Sequence, residues 1–307
     1  MIPEDFNVSV IIPVHNRPKE LIKAIESVLG QTFQRFEIIV VDDYSSIEIN
    51  PKIFGSFNNY KIIRLSQKKN ANIARNIGVQ KSEAKIIAFL DSDDQWKKNH
   101  LEQNLKFINE KNLDGVFGGI EIHSENSINE KIARKLRENE LFINYLFDGG
   151  ICQTSTFVLK KSCFDSVKFN ETLERHQDWD FGIRFNNSFT FKPIESITVV
   201  VNWKAYGSNK INLKSCKKFI DYNKSTISSE SFFKYHRNMY HLSKKIHSKS
   251  RIKKYFLRNA LIHFDKLSKT DFMSIYNPST IIEKIYYNLV FIRMNLMLSL
   301  KSKFMTQ

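Results

Sequence analysis

Short, uninterrupted apolar runs alternate along the first two thirds of the chain with segments in which apolar residues recur every three or four positions. The runs predict strands that are buried on both faces, and the periodic segments predict amphipathic helices. Early strands are expected at residues 8–14, 36–41, 60–65 and 86–90. Helices are expected between them, at about residues 18–29, at 71–80 and at about 97–110.

The middle of the chain continues this alternation. Further strands are predicted at residues 114–122, 154–159 and 197–203, with a polar, mobile loop at 123–138 and a short helix at 139–147. Strands that alternate with helices predict a parallel sheet with right-handed crossovers. The expected fold class is therefore α/β, a mostly parallel sheet flanked by helices. In such sheets, ligands bind just beyond the carboxyl ends of the strands.

The pattern changes after about residue 204, where strand-like runs stop and lysine, serine, asparagine and aromatic residues dominate. Helices are predicted near 213–247, 251–267 and 279–304, so the expected domains are 1–205 and a basic, mainly helical region 206–307. In the last helix, Glu283, Lys284 and Arg293 interrupt an apolar stripe. The stripe therefore favours a helix that lies on a membrane surface or packs on the main domain over one that spans a bilayer.

Charge is distributed unevenly along the chain. The net charge is +15, and residues 204–307 hold 21 basic and 5 acidic residues, which gives this part alone +16. A basic block of this size favours a polyanionic partner, either an anionic membrane surface or a nucleic acid. The three cysteines lack the spacing of a metal site and predict reduced thiols in a reducing compartment. No signal peptide is predicted, because the acidic start lacks a basic segment followed by an apolar one.

The strand predicted at residues 86–90 ends abruptly in Asp91, Ser92, Asp93 and Asp94. Asp91 and Asp93 are two positions apart, so in extended chain their side chains point the same way. Two such carboxylates repel each other unless a cation lies between them, and a hard divalent cation with phosphate oxygens as further ligands suits the pair. Taken alone, the motif better fits a solvated turn in which Asp94 caps the next helix, and only the rest of the chain reverses that preference.

A second predicted strand also ends in acids, Asp42 and Asp43. Parallel strands end at the same edge of a sheet, so these carboxylates and those of the Asp91 segment are expected along one rim. Such a rim suits a nucleotide with a metal ion. The chain lacks the phosphate-binding glycines of a dinucleotide fold or a P-loop, so metal and cationic side chains would have to hold a diphosphate.

Six motifs, in order and at matching spacing across roughly residues 7–205, carry a family resemblance. The chain resembles the inverting GT-A glycosyltransferases of family 2, which build bacterial surface polysaccharides. The motifs are VSVIIPVHNR from residue 8, SVLGQTF from 27, EIIVVDD from 37, ARNIG from 74, FLDSDD from 89 and QDWD from 177. The resemblance implies the GT-A fold, with the nucleotide-sugar site and the catalytic residues in residues 1–205.

The same resemblance implies a role for each motif residue. Residues in the nucleotide-sugar site would be Pro13, His15, Asn16, Asp42, Asp43, Arg75, Asp91 and Ser92. Pro13 and His15 would border the base, although the family usually has tyrosine where His15 stands. Asp43 would bond the base, and Arg75 would contact the base or the diphosphate. Asp93 would ligate Mn²⁺ or Mg²⁺, Asp91 would act through the ribose or a water, and Asp178 would be the catalytic base.

Three departures from the family pattern affect loop shape more than chemistry. Gln177 stands where the family often has glutamate, Asn70 to Asn72 replace a frequent glycine, and Val167-Lys168-Phe169 replaces Gly-Gly-Phe. Around the catalytic base, Asp178, we expect Trp179 to be a packing anchor, Asp180 to orient its loop and His176 to be a surface imidazole.

The expected activity is inverting transfer of a hexose or N-acetylhexosamine from a nucleotide sugar, by default a UDP-sugar, to a lipid-linked or surface-glycan acceptor. Region 206–307 would hold the enzyme peripherally on the inner, cytoplasmic face of the cell membrane. The alternative is a basic membrane- or nucleic-acid-binding protein on a GT-A-like scaffold without transferase activity. Without metal, a rim of carboxylates would repel the phosphates of a nucleic acid, so no nucleic acid is expected. A nucleotidyltransferase would need a glycine-rich basic loop after the first strand, which Val14 to Pro18 do not provide.

Overall fold

The computed structural model describes residues 2, 7–125, 127–202, 211–246, 250–262, 269–270, 273, 285 and 288–295. The chain divides into two compact units, residues 1–221 and 222–307. The predicted domain boundary between residues 205 and 206 lies outside the described residues, as does Trp203 at the end of a predicted strand.

The described strands of the first unit form one sheet. Its strands are β1 (Val8–Val14), β2 (Phe36–Asp42), β3 (Tyr60–Arg64), β4 (Ile86–Phe89), β5 (Asp94–Trp96), β6 (Gly115–His123), β7 (Ile128–Lys131), β8 (Val158–Lys160) and β9 (Phe191–Asn202). They lie in the order β3-β2-β1-β4-β8-β6-β9-β5, and β7 pairs with β6. Strands β1 to β4 pair in parallel, as do β6 and β9, whereas β5, β7 and β8 are antiparallel to their neighbours.

Helices cover the sheet and continue into the second unit. They are α1 (Pro18–Leu29), α2 (Ala71–Gln80), α3 (His100–Lys111), α4 (Phe142–Phe147), α5 (Lys161–Val167), α6 (Gln177–Ser188), α7 (Leu213–Asn223), α8 (Ser229–Lys245) and α9 (Ser250–Ala260). Short 3-10 turns lie at Pro51–Phe54 and Thr154–Thr156. The α/β fold class predicted from the sequence is confirmed.

The core forms where apolar runs predict it. Every residue of β1 and β2 is buried, and Leu21, Ala24, Ile25 and Val28 of α1 pack toward the sheet. Helix α2 lies directly against β1, because a Cβ at Gly78 would be only 2.5 Å from Cγ2 of Ile11. A side chain at this position would push α2, and with it Arg75, away from the sheet.

Several predicted boundaries were wrong. The segment predicted as a strand at 154–159 begins with a 3-10 turn and is extended only from Val158. The polar segment 123–138, predicted as a mobile loop, contains β7, which pairs with β6 as a hairpin. Asp94 begins β5 instead of capping a helix, and α3 starts only at His100. Short strands of exposed or mixed residues carry no alternating pattern from which they could be recognised.

The helices after residue 210 also differ from the prediction. The single helix predicted near 213–247 is divided into α7 and α8, since Ser228 caps α8 by accepting the N–H of Ser231. Most of the helix predicted at 279–304 lies outside the described residues, although residues 288–295 are helical. None of the helices in the described ranges is long and apolar enough to cross a membrane.

Candidate active site

The carboxyl ends of three neighbouring strands form the rim of the site. Strand β1 lies between β2 and β4, and Val14 at its end pairs with Asp42 at the end of β2. The segment that follows β4 begins beside them, since the N–H of Leu90 bonds the carbonyl of Ile11 in β1. The structure thus brings together the three motifs that the sequence places at separate strand ends.

The side chains after β1 and β2 hold the rim in shape. His15 Nδ1 lies 2.8 Å from the carbonyl oxygen of Asp43, and the Asp43 carboxylate accepts the N–H of Lys69 at 2.6 Å. Asn16 has a positive φ of 53°, a conformation that asparagine tolerates better than most residues. Its side chain accepts the N–H of Ser46, so the loops after β1 and β2 are joined.

Asp42 differs from Asp43 in being completely buried. Its Oδ1 accepts the N–H of Ser45, and its Oδ2 lies 2.7 Å from the guanidinium of Arg64. Both oxygens of Asp42 are therefore occupied by hydrogen bonds within the protein. Asp43 is the carboxylate of this pair that lies nearer to the surface. Pro13 is buried within β1.

Three carboxylates follow β4 and carry two arginine counter-ions. Arg75 of α2 donates to Asp91 at 2.5 Å, and Arg17 lies 2.7 Å from Asp93. Asp94 is buried and accepts the hydroxyl of Ser155 at 2.6 Å. Burial and the charges of Asp91 and Asp93 raise the pKa of Asp94 well above its usual value. Burial, and then the charge of Asp91, also raises the pKa of Asp93.

The carboxylates after β4 offer the oxygen ligands that divalent cations such as Mg²⁺ prefer. Across the described ranges, no three His, Cys, Asp or Glu side chains gather as a ready-made metal-binding group. Asp91 and Asp93 nevertheless offer hard oxygen ligands at one strand end. Mg²⁺ typically takes only one or two protein carboxylates and completes its coordination with substrate phosphates and water. The donor set therefore fits a cation that arrives with a diphosphate.

Asp178 occupies the first turn of α6. Its Oδ1 accepts the N–H of Trp179 at 2.9 Å, as is common for an acidic residue at a helix N-terminus. The pKa of Asp178 is raised to about 6, chiefly by burial; the Trp179 N–H and the charge of Arg75 lower it, while the charge of Asp91 raises it. A carboxylate whose pKa lies this near neutrality is suited to accept a proton from a reacting group.

Arg75 links the two halves of the site. One guanidinium nitrogen donates to Asp91 at 2.5 Å, and the other donates to Oε1 of Gln177 at 2.8 Å. The side chain is buried against the ring of Phe169, whose centroid is 5.1 Å away. The residue next to Asp178 is thus joined through one side chain to the carboxylates after β4. Gln177 accepts this bond without adding the negative charge of a glutamate beside the base.

The residues around Asp178 have mainly structural contacts. His176 was predicted to be a surface imidazole, but its ring stacks on Trp179 at 4.8 Å and lies 5.0 Å from Phe219. Burial lowers the pKa of His176 to about 3, so the ring is neutral near pH 7. Trp179 also meets Phe147 edge to face at 5.6 Å, in agreement with the expected packing role. Ser92, assigned to the nucleotide-sugar site by the resemblance, is buried.

Asp180 helps to orient the loop that precedes Asp178, as expected. It pairs with Arg184 at 2.6 Å, and Arg184 donates to the carbonyl oxygens of Val167 and Lys168. Lys168 has φ 47° and ψ 160°, a conformation that glycine adopts far more easily. This is the position at which the resembling family has glycine.

Sequence reasoning missed the side chains that fasten the loop at residues 169–175. From α2, Asn72 donates to the carbonyls of Asn170 and Leu173, and Asn76 both donates to and accepts from the backbone of Phe169. From α7, the Ser215 hydroxyl accepts the N–H groups of Glu174 and Arg175. No spacing along the chain marks these residues, because their partners are backbone groups 40 to 101 positions away.

Comparisons with known proteins show the family to which the chain belongs. The family model described as "Glycosyl transferase family 2" matches residues 9–167, slightly more than half of the chain. The amylovoran biosynthesis glycosyltransferase AmsB of Erwinia amylovora is 31% identical over an alignment of 193 residues, which covers 59% of this chain and 64% of AmsB.

Two further proteins extend the comparison. The Escherichia coli UDP-Glc:alpha-D-GlcNAc-diphosphoundecaprenol beta-1,3-glucosyltransferase WfgD is 35% identical over 144 residues, 46% of this chain and 57% of WfgD. The chain thus matches less than two thirds of the length of each of these relatives. The crystal structure of Staphylococcus aureus TarS 1-349 in complex with UDP-GlcNAc shares the fold, with a TM-score of 0.53, 18% identity and 91% of this chain and 78% of that chain covered. The motifs, the sheet and the family match together place this chain in glycosyl transferase family 2.

Proposed function

We propose that this protein is an inverting glycosyltransferase that transfers a hexose or N-acetylhexosamine from a UDP-sugar to a hydroxyl group of a lipid-linked or surface-glycan acceptor. The observation that carries the proposal is the pair of hydrogen bonds from Arg75. They join Asp91 at the strand end to Gln177, the neighbour of the proposed catalytic base Asp178. The relatives support the substrate class, since WfgD is named for a UDP-glucose donor and a diphosphoundecaprenol-linked acceptor. TarS has been crystallised with UDP-GlcNAc.

In the proposed mechanism, the rim residues hold the sugar nucleotide. Pro13, His15 and Asp43 border the base, and Arg75 keeps Asp91 oriented toward the ribose. Asp93 would hold Mn²⁺ or Mg²⁺, which when bound supplies Lewis-acid neutralisation of the leaving diphosphate. The cationic groups of Arg17 and Arg75 at the same rim lower the cost of gathering carboxylates and phosphates in one place.

Asp178 accepts the proton of the attacking acceptor hydroxyl. Its raised pKa suits this task, because the carboxylate is ionised at neutral pH yet basic enough to take the proton. Attack from the face opposite the diphosphate inverts the anomeric carbon. A single protein carboxylate is sufficient for this step, unlike the flanking pair that glycoside hydrolases use.

The proposal is tested by measuring UDP release from a panel of UDP-sugars with Mn²⁺ and an acceptor, for the wild type and Asp178→Asn. The substitution should retain UDP affinity in calorimetry but lower the transfer rate about 10²- to 10⁴-fold, the usual contribution of a general base. Asp165→Asn is the matched control, because Asp165 is an exposed aspartate on α5. Turnover of Asp178→Asn near the wild-type rate would show that the base is another residue.

We further propose that the second unit binds an anionic membrane surface, which would place the enzyme peripherally on the inner face of the cell membrane. Ile285, Leu289 and Ile292 follow helical spacing and are each more than half exposed. Their neighbours Val290 and Phe291 pack on the core of the second unit instead. Residues 222–307 hold 16 basic and 4 acidic residues, a net charge of +12. An exposed apolar stripe in so basic a region supports binding to a surface with both acyl chains and anionic headgroups.

A further inference from the structure

The guanidinium of Arg17 lies 2.7 Å from Oδ2 of Asp93, the carboxylate expected to ligate a divalent cation. Arg17 immediately precedes α1 and lies three residues after Val14, the last residue of β1, so its backbone belongs to the same rim. The two side chains are 34% and 21% exposed, which leaves the ion pair open to the site. Nothing in the family resemblance or the comparisons assigns a role to Arg17.

The charges around β4 indicate the role of Arg17. Asp91 has Arg75 as its counter-ion, and Asp94 is satisfied by Ser155 and Gln153. Arg17 supplies the positive charge at Asp93 that a metal ion would otherwise supply. A guanidinium and a divalent cation repel each other at this distance, so the two cations compete for the negative charge of Asp93.

Arg17 and Asp93 differ in how firmly they are held. The backbone at Asp93 is fixed, because Asn202 donates to the Asp93 carbonyl at 2.9 Å and Asp94 begins β5. Arg17 carries a long side chain that is one third exposed, so its charged end is accessible from the solvent side of the rim. Its planar guanidinium offers five N–H donors in a fork that matches phosphate oxygens.

We infer that Arg17 is an exchangeable counter-ion: it neutralises Asp93 in the empty enzyme, yields that oxygen to the divalent cation, and then binds the diphosphate of the sugar nucleotide. This inference rests on the proposed function, because the incoming anion is the donor diphosphate and the cation is the one assigned to Asp93. Arg17 is in this sense a substrate-binding residue that pairs with Asp93 until the substrate arrives.

The test is calorimetry on the full chain with Mn²⁺ alone and then with UDP at saturating Mn²⁺, for the wild type, Arg17→Gln and Arg17→Lys. Arg17→Gln should bind Mn²⁺ alone about threefold more tightly, because a partly exposed ion pair no longer competes. It should bind UDP with Mn²⁺ about tenfold more weakly, because a charge-assisted bond to phosphate is lost. Arg17→Lys should restore part of the UDP affinity. Arg35→Gln, at an exposed arginine before β2, should change neither value.

Asp93→Ala separates failure of this inference from failure of the proposed metal site. If Asp93→Ala binds Mn²⁺ as tightly as the wild type, the proposed role of Asp93 is wrong. If Asp93→Ala loses Mn²⁺ while Arg17→Gln matches the wild type for both ligands, the exchange is wrong and the metal site stands. Tighter Mn²⁺ binding by Arg17→Gln with unchanged UDP affinity would overturn the transfer of Arg17 to the diphosphate. Melting temperatures within about 2 °C of the wild type would show that each variant is folded.

Discussion

At the scale of single residues, the site depends on side chains whose charge is set by burial. Asp178 has the clearest consequence, because its pKa of about 6 lies above the usual value for aspartate, raised chiefly by burial. A general base works only when it is ionised. Transfer should therefore be fully active above about pH 7 and should fall about tenfold per pH unit below about pH 6.

This pH profile is measured as kcat for transfer between pH 4.5 and 8.5, with Mn²⁺ and UDP-sugar saturating. The acid limb belongs to Asp178 only if it disappears from the small residual activity of Asp178→Asn. A limb that stays at the same pH in that variant would assign it to a different group. His176 should not contribute, because burial keeps its ring neutral throughout this range.

Lys168 permits a prediction about stability. Its backbone at φ 47° and ψ 160° is costly for any residue with a Cβ, by about 1–3 kcal/mol. Lys168→Gly removes this strain but also frees the unfolded chain, so the free energy of unfolding should rise by about 1 kcal/mol. Urea unfolding measures the change. Lys168→Ala is the control, since it removes the lysine side chain and retains the Cβ; an equal gain in both variants would contradict the strain argument.

The motif residues could be predicted from the sequence, whereas those that fasten the loop before the base could not. Asp91, Asp93 and Asp178 stand in recognisable local patterns at strand and helix ends. Asn72 and Asn76 lie within a helix like many surface asparagines, and only the folded structure shows that they bond the backbone of residues 169–173. A burial-dependent pKa is likewise a property of packing, which spacing along the chain does not encode.

At the scale of whole elements, α7 supports the start of α6. The hydroxyl of Ser215 accepts the N–H groups of Glu174 and Arg175 and donates to the Arg175 carbonyl, which uses its full bonding capacity. Phe219 is fully buried and contacts His176, whose φ of 60° fixes the entry of the chain into α6. Helix α7 lies beyond residue 167, where the family match ends, yet it shapes the segment that carries the base.

Ser215→Ala should consequently impair the chemical step more than donor binding. Loss of the hydroxyl that accepts both N–H groups should loosen Asp178 and lower kcat about tenfold, since small displacements of a catalytic group are costly, while calorimetric UDP affinity stays unchanged. Lys214→Ala is a suitable control, because Lys214 is an exposed neighbour on the same helix. Parallel losses of kcat and UDP affinity in Ser215→Ala would instead indicate general disturbance of the site.

Element prediction succeeded where burial is continuous and failed where strands are short. Strands β1 and β2 are buried at every position, so their apolar runs are unambiguous. Strand β5 has three residues and begins with the buried Asp94, and all four residues of β7 are exposed. Both exist because a neighbouring strand, β9 or β6, supplies the hydrogen-bonding edge, and this information is not local.

At the scale of the whole molecule, the concentration of basic charge in residues 204–307 predicts salt-dependent membrane binding. The full chain should sediment with vesicles that contain anionic lipid at low ionic strength and be released as salt rises. Ile285→Ser combined with Leu289→Ser and Ile292→Ser should weaken binding further, because the exposed stripe is removed.

Ile22→Ser is the control for that experiment, since Ile22 is an exposed isoleucine on α1 in the first unit. Equal binding to neutral and anionic vesicles would contradict an electrostatic contribution. Preferential binding to DNA over anionic vesicles at the same ionic strength would assign the basic region to a nucleic acid instead.

The hydrogen bonds between α2 and the loop at residues 169–173 have a consequence for protein engineering. They cross residue 167, where the family match ends, so the part of the chain inside that match and the part beyond it are joined through particular side chains. Chimeras that join residues 1–167 of one relative to the remainder of another should keep a working catalytic centre only when the residues at positions 72, 75 and 76 come from the same parent as the loop they bond. Transfer of a C-terminal half between relatives would then require grafting those three positions of α2 together with it.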